Sequence, residues 1–388
     1  MRLNPLFDNL PTTVFERTSG LARQHDAINL GQGFPDGTEP AELLDAAARA
    51  LRERGNQYPP SRGLPELRAA AAAFYNRFDG LALTADNVVV TSGATEAIAA
   101  ALMATITPGD EVVIIEPAYD AYRPLIERAG GVVRAVSLAP PEWRLTAEVL
   151  EAAVTPRTRV LVVNNPLNPA GRAFDREEVE AVASVCRRHD LIAVSDEVWE
   201  RLVYDDRRHI SLSSVPGMFE RTLKIGSAGK LFGLTGWKVG FITGGGALLE
   251  AAAKAHQYIA FSTAPHLQAA VAEGLAWSSA RFAEQAAALA RSRDHLAKAL
   301  KSEGFAVLPS EATYFLCLDL KASGISTGAA AYADRAVAEY GVAGIPVSAF
   351  MSGDAGDSVL RLCFAKPDAV LDEAARRLGR ARRAWIEG

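Results

Sequence analysis

Short apolar runs alternate with longer helix-forming stretches through the middle of this chain, and that alternation limits its fold more than any other feature. The runs fall at residues 87–91, 111–115, 132–138, 159–163, 191–195, 222–226 and 239–243. Several are apolar at nearly every position, as strands covered on both faces must be. Helical stretches at 96–105 and 177–189 lie between them, the second led by Asp175 with Glu178 three residues on, a capping-box arrangement. Such alternation predicts an α/β fold: a mostly parallel seven-stranded sheet covered by helices.

After residue 275 the rhythm changes. A long Ala-rich helical stretch at 280–303 precedes strand-like runs at 305–308, 314–319 and 359–363, with helices near 329–340 and 369–385. That is the pattern of a smaller α+β domain. A chain of 388 residues also exceeds what one core usually organises. The expected division is 1–44 as an N-terminal arm and part of the small domain, 45–275 as the large domain, and 276–388 as the small C-terminal domain. The arm is Pro- and Gly-punctuated and too short to fold alone, so it should dock onto the C-terminal part.

Composition narrows the function. Lys plus Arg total 41 against 46 Asp plus Glu, a net charge of −5, which argues against a nucleic-acid partner. No run approaches the ~18 apolar residues of a membrane span, and the N-terminus is too polar for a secretory signal. Cys186, Cys317 and Cys363 are too scattered for a disulfide framework, so a cytoplasmic compartment is expected. The six histidines form no ligand-spaced cluster, so no metal is expected, and His209 reads as structural. No Gly-x-Gly-x-x-Gly follows a strand, which weakens a nicotinamide reading.

Ligands of open α/β sheets sit at the carboxyl ends of the strands, so the residues placed there matter. Run 87–91 leads through Ser92-Gly93-Ala94-Thr95 straight into a helix, which makes either a phosphate seat or an ordinary tight turn. Asn168 follows run 159–163 between two prolines, where its amide can face a ligand or merely complete a turn. Asp196 ends run 191–195, as a buried carboxylate in need of a partner or as a helix cap. Lys230 follows run 222–226 in a Gly-rich, apolar loop; such surroundings lower a lysine's pKa and make it a nucleophile, although most lysines are surface residues. Separately none of these is decisive. Together they are the set that pyridoxal 5'-phosphate requires: an amine for a Schiff base, a carboxylate for the ring nitrogen and a seat for the phosphate. Tyr119, after another strand end, could stack on the ring.

The segments AINLGQGFPDG, NQYPPSRGLPELR, SGATEAI, NNPLNPAGR, SDEVWE, SAGKLFGLTGWKVGF, GIPVSAF and RLCFAKPD occur in order over residues 27–366. In them the chain resembles the class I aminotransferases of the fold type I pyridoxal phosphate superfamily, and most of all the kynurenine/glutamine/methionine aminotransferase group. The resemblance implies that Lys230 is the Schiff-base lysine and moves the substrate α-proton. It implies that Asp196 partners the pyridine nitrogen, Asn168 the phenolic oxygen and Tyr119 the ring face. Ala94, Thr95, Ser227 and Lys238 would hold the phosphate, and Tyr58 would reach the phosphate of a neighbouring subunit in a homodimer. Arg361 would bind the substrate α-carboxylate, with Gly33 and Asn168 beside it.

The implied activity is amino transfer between an L-amino acid and a 2-oxo acid in two half-reactions, with aromatic, sulfur-containing or glutamine donors. A carbon–sulfur β-lyase on the same fold is the alternative. One position departs from the family: Trp199 stands where a Tyr hydroxyl usually contacts the cofactor's phenolic oxygen. Indole donates but cannot accept, and its N–H has a different reach.

Overall fold

The computed structural model describes every residue except Arg2, Thr38 and Gly388. The arm contributes a two-residue strand, β1 (Ile28–Asn29). The large sheet follows: β2 (Val88–Thr91), β3 (Glu111–Glu116), β4 (Val132–Ser137), β5 (Thr158–Asn164), β6 (Ile192–Asp196), β7 (Thr222–Ser227) and β8 (Gly240–Thr243). Its seven strands run in the order β2-β8-β7-β6-β5-β3-β4. Only β8 is antiparallel to its neighbours. Because β8 reverses between β2 and β7, β2 regains the direction of the parallel block. The carboxyl ends of β2, β5, β6 and β7 therefore share one edge of the sheet.

The apolar runs are strands for the reason their composition suggested. Val88, Val89, Val112, Val113, Val160, Leu161, Ala193, Val194, Leu223 and Ile225 are all fully buried, so both faces of the sheet are covered. Helix Arg176–Arg188 begins with both halves of the capping box between Asp175 and Glu178. The strands differ from their expected bounds by a residue or two. The useful differences are at the ends, where Asp196 closes β6 and Ser227 closes β7.

The smaller sheet holds β9 (Ala306–Val307), β10 (Phe315–Asp319), β12 (Ile345–Pro346) and β13 (Val359–Cys363), ordered β12-β13-β10-β9, while β11 (Val342–Ala343) pairs with β1 instead. That pairing ties the arm to the C-terminal part: Ile28 lies opposite Val342 and Asn29 opposite Ala343. Helix Ala41–Glu53 packs instead on helix Pro265–Leu275. No described helix is long and apolar enough to cross a membrane.

One buried ionic cluster fixes the turn that follows β6. Lys224, on β7, reaches Glu200 Oε2 at 2.5 Å and Glu197 Oε2 at 3.1 Å, and it also pairs with Asp79. Burial alone would pull the lysine pKa down, but the charges of Asp79, Glu197 and Glu200 raise it well above the ordinary value. His209 Nε2 lies 2.8 Å from Glu197, and Ser195 Oγ donates to the same carboxylate at 2.8 Å. Glu197, Glu200 and His209 stand close enough together to ligate a metal. The Lys224 ammonium already supplies the positive charge between those carboxylates.

Removing that charge should be costly. Lys224→Met leaves three buried carboxylates without their cation, and breaking a buried pair from one side costs on the order of 3–5 kcal/mol. The denaturant midpoint should fall accordingly. A loss below about 1 kcal/mol, typical of an exposed pair, would contradict this account of the cluster.

Candidate active site

A cavity of about 210 Å³ opens at the shared carboxyl edge. It is lined by Gly33, Ala94, Thr95, Tyr119, Asn168, Asp196, Trp199, Ser227, Lys230, Lys238 and Arg361, so all but one of the site residues expected from sequence meet there. The exception is Tyr58, 84% exposed and placed edge-on to Phe261 at 5.4 Å between ring centroids.

Helix Ala94–Thr105 starts directly at the cavity. Its N-cap is Gly93, at φ 81° and with no side chain to cap the helix, so the first N–H groups and the positive end of the helix dipole are left to a ligand. A Cβ at Gly93 would come 3.1 Å from Lys238 Nζ, which locates that ammonium beside the helix end. Two positive features thus face the same space, and among the described residues no carboxylate pairs with Lys238. This is the donor set of a phosphate seat.

Asp196 lies at the base, buried at the end of β6. Burial pushes its carboxyl up to about 6. The Tyr122 hydroxyl, the Val198 N–H and the charge of Lys230 oppose that rise by favouring the anion. Tyr122 donates to Oδ2 at 2.5 Å, and the Asn164 amide donates to the Asp196 carbonyl at 3.0 Å. The carboxylate is thus held from behind while its front faces the cavity.

Lys230 sits on a short helix whose N-cap, Ser227, accepts the Lys230 N–H at 3.3 Å. Burial, then the nearby Arg361 charge, lowers its amine to about 8. Nζ donates to the Gly33 carbonyl at 3.0 Å and to the Tyr314 hydroxyl at 3.2 Å. Trp199 is buried, and its ring centroid lies 4.8 Å from Nζ.

Arg361, on β13, is fully buried. It donates to Asn168 Oδ1 at 3.1 Å and to the Gly31 carbonyl at 2.5 Å, while its Nε has no partner. Its guanidinium lies 3.9 Å from the centre of the Phe315 ring. A buried guanidinium with an orphaned donor and no carboxylate partner among the described residues calls for an anionic ligand. The donor set fits pyridoxal phosphate at every group it offers: phosphate seat, ring-nitrogen carboxylate, amine and stacking face.

Tyr122, Tyr314, Asn164 and Phe15 were not anticipated. Tyr122 follows Tyr119 by one turn and could have been suspected from that spacing. Tyr314 was expected only as the first residue of a strand; it immediately precedes β10. The three cysteines are buried, and burial pushes all three thiols up, Cys186 and Cys317 to about 12, which disfavours the reactive thiolate.

Comparison with known proteins gives this geometry a context. Residues 25–378 match the family described as aminotransferase class I and II. The chain is 42% identical over 379 residues to the probable N-succinyldiaminopimelate aminotransferase DapC of Mycobacterium tuberculosis, covering 95% of each chain. It is 36% identical to the methionine aminotransferase of Escherichia coli, over 97% of this chain and 99% of that one. It is likewise 36% identical to rat kynurenine–oxoglutarate transaminase 1, over 98% and 97%. The solved structure of the Mycobacterium tuberculosis N-succinyldiaminopimelate aminotransferase superposes with a TM-score of 0.95 at 41% identity, covering 98% of this chain and all of that one.

The proximity of Arg361 to Lys230 has a measurable consequence. The neutral amine is the form that attacks an aldehyde, so trapping of Lys230 by aldehyde and cyanoborohydride should rise with pH around a midpoint near 8. Arg361→Leu removes a charge that disfavours the ammonium, so the midpoint should move up toward the ordinary lysine value. Peptide mapping assigns the labelled lysine. An unmoved midpoint would mean that burial alone sets it.

Proposed function

The chain belongs to the class I and II aminotransferases, which are pyridoxal phosphate-dependent, and on that premise we propose how its residues divide the work. Bound pyridoxal phosphate supplies an aldehyde that takes up the amino group and a ring that accepts the electrons of the substrate's Cα–H bond. Lys230 holds the cofactor covalently at rest and then carries the α-proton. Asp196 keeps the ring nitrogen protonated, steadied by Tyr122. Asn168 donates to the phenolic oxygen, Tyr119 offers the stacking face, and Trp199 closes the side by Lys230. Ala94, Thr95, Ser227 and Lys238 bind the phosphate. Arg361 takes the substrate α-carboxylate, with Gly33 and Asn168 alongside. The amine leaves one amino acid, which departs as a 2-oxo acid, and is given to a second oxo acid in the reverse half-reaction. The observation that most supports this division is that a low-pKa lysine, a buried carboxylate, an uncapped helix end and an unpaired arginine all border one small cavity.

The walls bear on the donor. Phe15, Ile98, Tyr119, Val198 and Phe315 line the cavity, and its three cations are Lys230, Lys238 and Arg361, each with a task. Among the described residues of that lining no further cation faces a distal carboxylate. That favours aromatic or sulfur-containing donors, with glutamine as a polar neutral one, in line with the methionine and kynurenine relatives. A second reading draws on the succinylated substrate in the DapC relative's name and on a chamber of about 630 Å³ beyond Lys230. Arg281 and Lys366 line that chamber, but Glu42 and Asp36 already pair with them at 2.9 and 2.7 Å.

Both levels of the proposal are open to experiment. Lys230→Ala should abolish transfer yet leave a folded protein that retains cofactor noncovalently, and borohydride reduction of the wild type should label Lys230. Label on another lysine sinks the assignment. Screening donors by the loss of the cofactor's visible absorbance should rank methionine and phenylalanine above N-succinyldiaminopimelate. The opposite ranking selects the second reading and leaves the transfer chemistry standing. Pyruvate released from cysteine conjugates without an acceptor would indicate β-elimination.

The exposed ring of Tyr58 supports a dimer. It packs edge-on against Phe261, in a stretch that also exposes Tyr258 and Ile259, and clustered exposed apolar side chains mark interaction surfaces. A two-fold partner would cover the same patch on both copies and bring Tyr58 to the neighbour's phosphate. Sedimentation at assay concentration should give a dimer, and Tyr58→Phe should weaken cofactor retention. A fully active monomer contradicts the shared site. With three buried, unpaired cysteines, the enzyme suits a reducing cytoplasm.

A further inference from the structure

Three distant segments converge on the Lys230 amine. The arm brings the Gly33 carbonyl to 3.0 Å and the segment before β10 brings the Tyr314 hydroxyl to 3.2 Å. Tyr314 itself donates to that same carbonyl, so the two acceptors are locked to one another. The third side is apolar. The Trp199 ring lies 4.8 Å from Nζ and packs edge-on against Tyr314, with centroids 4.6 Å apart. The indole closes the shell around the amine without adding an acceptor.

Tyr314 is fixed more firmly than packing alone requires. It is wholly buried. Its carbonyl accepts from the Phe364 N–H at 3.0 Å, and the preceding N–H, of Thr313, donates to the Leu202 carbonyl at 2.8 Å. The Tyr204 hydroxyl donates to the Thr313 carbonyl. Thr313 itself has φ 66°, a conformation that β-branched residues avoid and that persists only where the surroundings impose it. The backbone is thus forced into a shape that delivers one phenol to one amine.

A neutral amine has two N–H bonds and one lone pair. Gly33 and Tyr314 accept both N–H bonds, so the lone pair is what remains for the cavity. We propose that Tyr314 is the positioning residue for Lys230: with the Gly33 carbonyl it forms the seat to which the amine returns whenever it is released from the cofactor, with its proton-accepting side turned to the cavity. The proposal rests on the reading of Lys230 as the proton carrier. Arg361 and Lys238 also face the amine and disfavour its charge, while Asp196 and Cys363 favour it. A hydroxyl acceptor belongs with the second pair.

The signs of these effects give a test that a merely structural role would not pass. Tyr314→Phe keeps the ring and its packing. The cofactor-loaded variant should hold methionine with unchanged affinity but lose absorbance about 10- to 100-fold more slowly on rapid mixing, as expected for a misplaced reacting group. The kinetic isotope effect with α-deuterated methionine should rise, because proton transfer becomes more fully limiting. Independently of activity, the pH midpoint for aldehyde trapping of Lys230 should move down, since an acceptor for the ammonium is gone. Loosened packing would admit water and move it up. Tyr314→His restores an acceptor and should recover part of the rate; equal loss in both variants overturns the proposal. So does a Phe variant with wild-type transfer rate and isotope effect. Borohydride labelling of Lys230 in the same preparations keeps the two claims apart: normal labelling with unchanged kinetics removes Tyr314 alone, and labelling elsewhere removes the underlying reading.

Discussion

A parallel strand buried on both faces can hold a polar side chain in its interior only where the fold supplies a partner, as it does for Lys224, so the side chains free to meet a ligand stand at the strand ends. β5, β6 and β7 are buried along almost their whole length, and the polar groups they turn to the cavity are Asn164, Asp196 and Ser227 at their carboxyl ends. The turns that follow bring in Asn168, Trp199 and Lys230. Parallel pairing places all of these ends on one edge, and the reversal of β8 returns β2 and its uncapped helix to the same edge. These groups reach the edge on their own strands, whereas Arg361 and Gly33 are brought to it by β13 and the arm.

Electrostatics then decides what the edge can hold. Lys230, Lys238, Arg361 and a helix N-terminus converge on one cavity, and among the described residues Asp196 is the one acid in its lining. In water such a gathering would be solvated. Here Arg361 is fully buried while Lys238 is exposed, and burial with the Arg361 charge brings the Lys230 amine down to about 8, as burial brings Arg361 down to about 10. A site with an excess of unpaired positive charge is a site for anions, and both a phosphate and an α-carboxylate answer to it. The arrangement that makes the lysine a usable base is therefore the same one that binds the ligands.

How much of this could be read from sequence depends on the range of the interaction. The large sheet was legible because burial on two faces writes a continuous apolar run, and the strand-end residues were legible because each follows its run directly. Asp175 and Glu178 announced a helix start through a contact spanning three residues. Tyr314 and Tyr122 were not legible in the same way. Neither ends an apolar run, and the role of each comes from an oxygen delivered across the fold, to Lys230 in one case and to Asp196 in the other. Lys224 was hidden for a related reason. A lysine inside an apolar run looks like a misplaced surface residue until Asp79, Glu197 and Glu200 are seen around it.

Trp199 shows how a departure from a family pattern can be absorbed. Trp199 stands where the resemblance implies a Tyr hydroxyl, and the indole forms one wall around the Lys230 amine. Because that wall cannot accept a hydrogen bond, the amine's N–H bonds turn to the two oxygens left, those of Gly33 and Tyr314. Gly33 belongs to the arm, which β1 ties to β11, and Tyr314 leads into β10. The orientation of the reacting group in the large sheet's edge is thereby set by the segments packed across from it. A shift of the arm relative to the large sheet would move the Gly33 carbonyl first and the lysine with it, so the docking of the arm and the aim of Lys230 are one structural quantity.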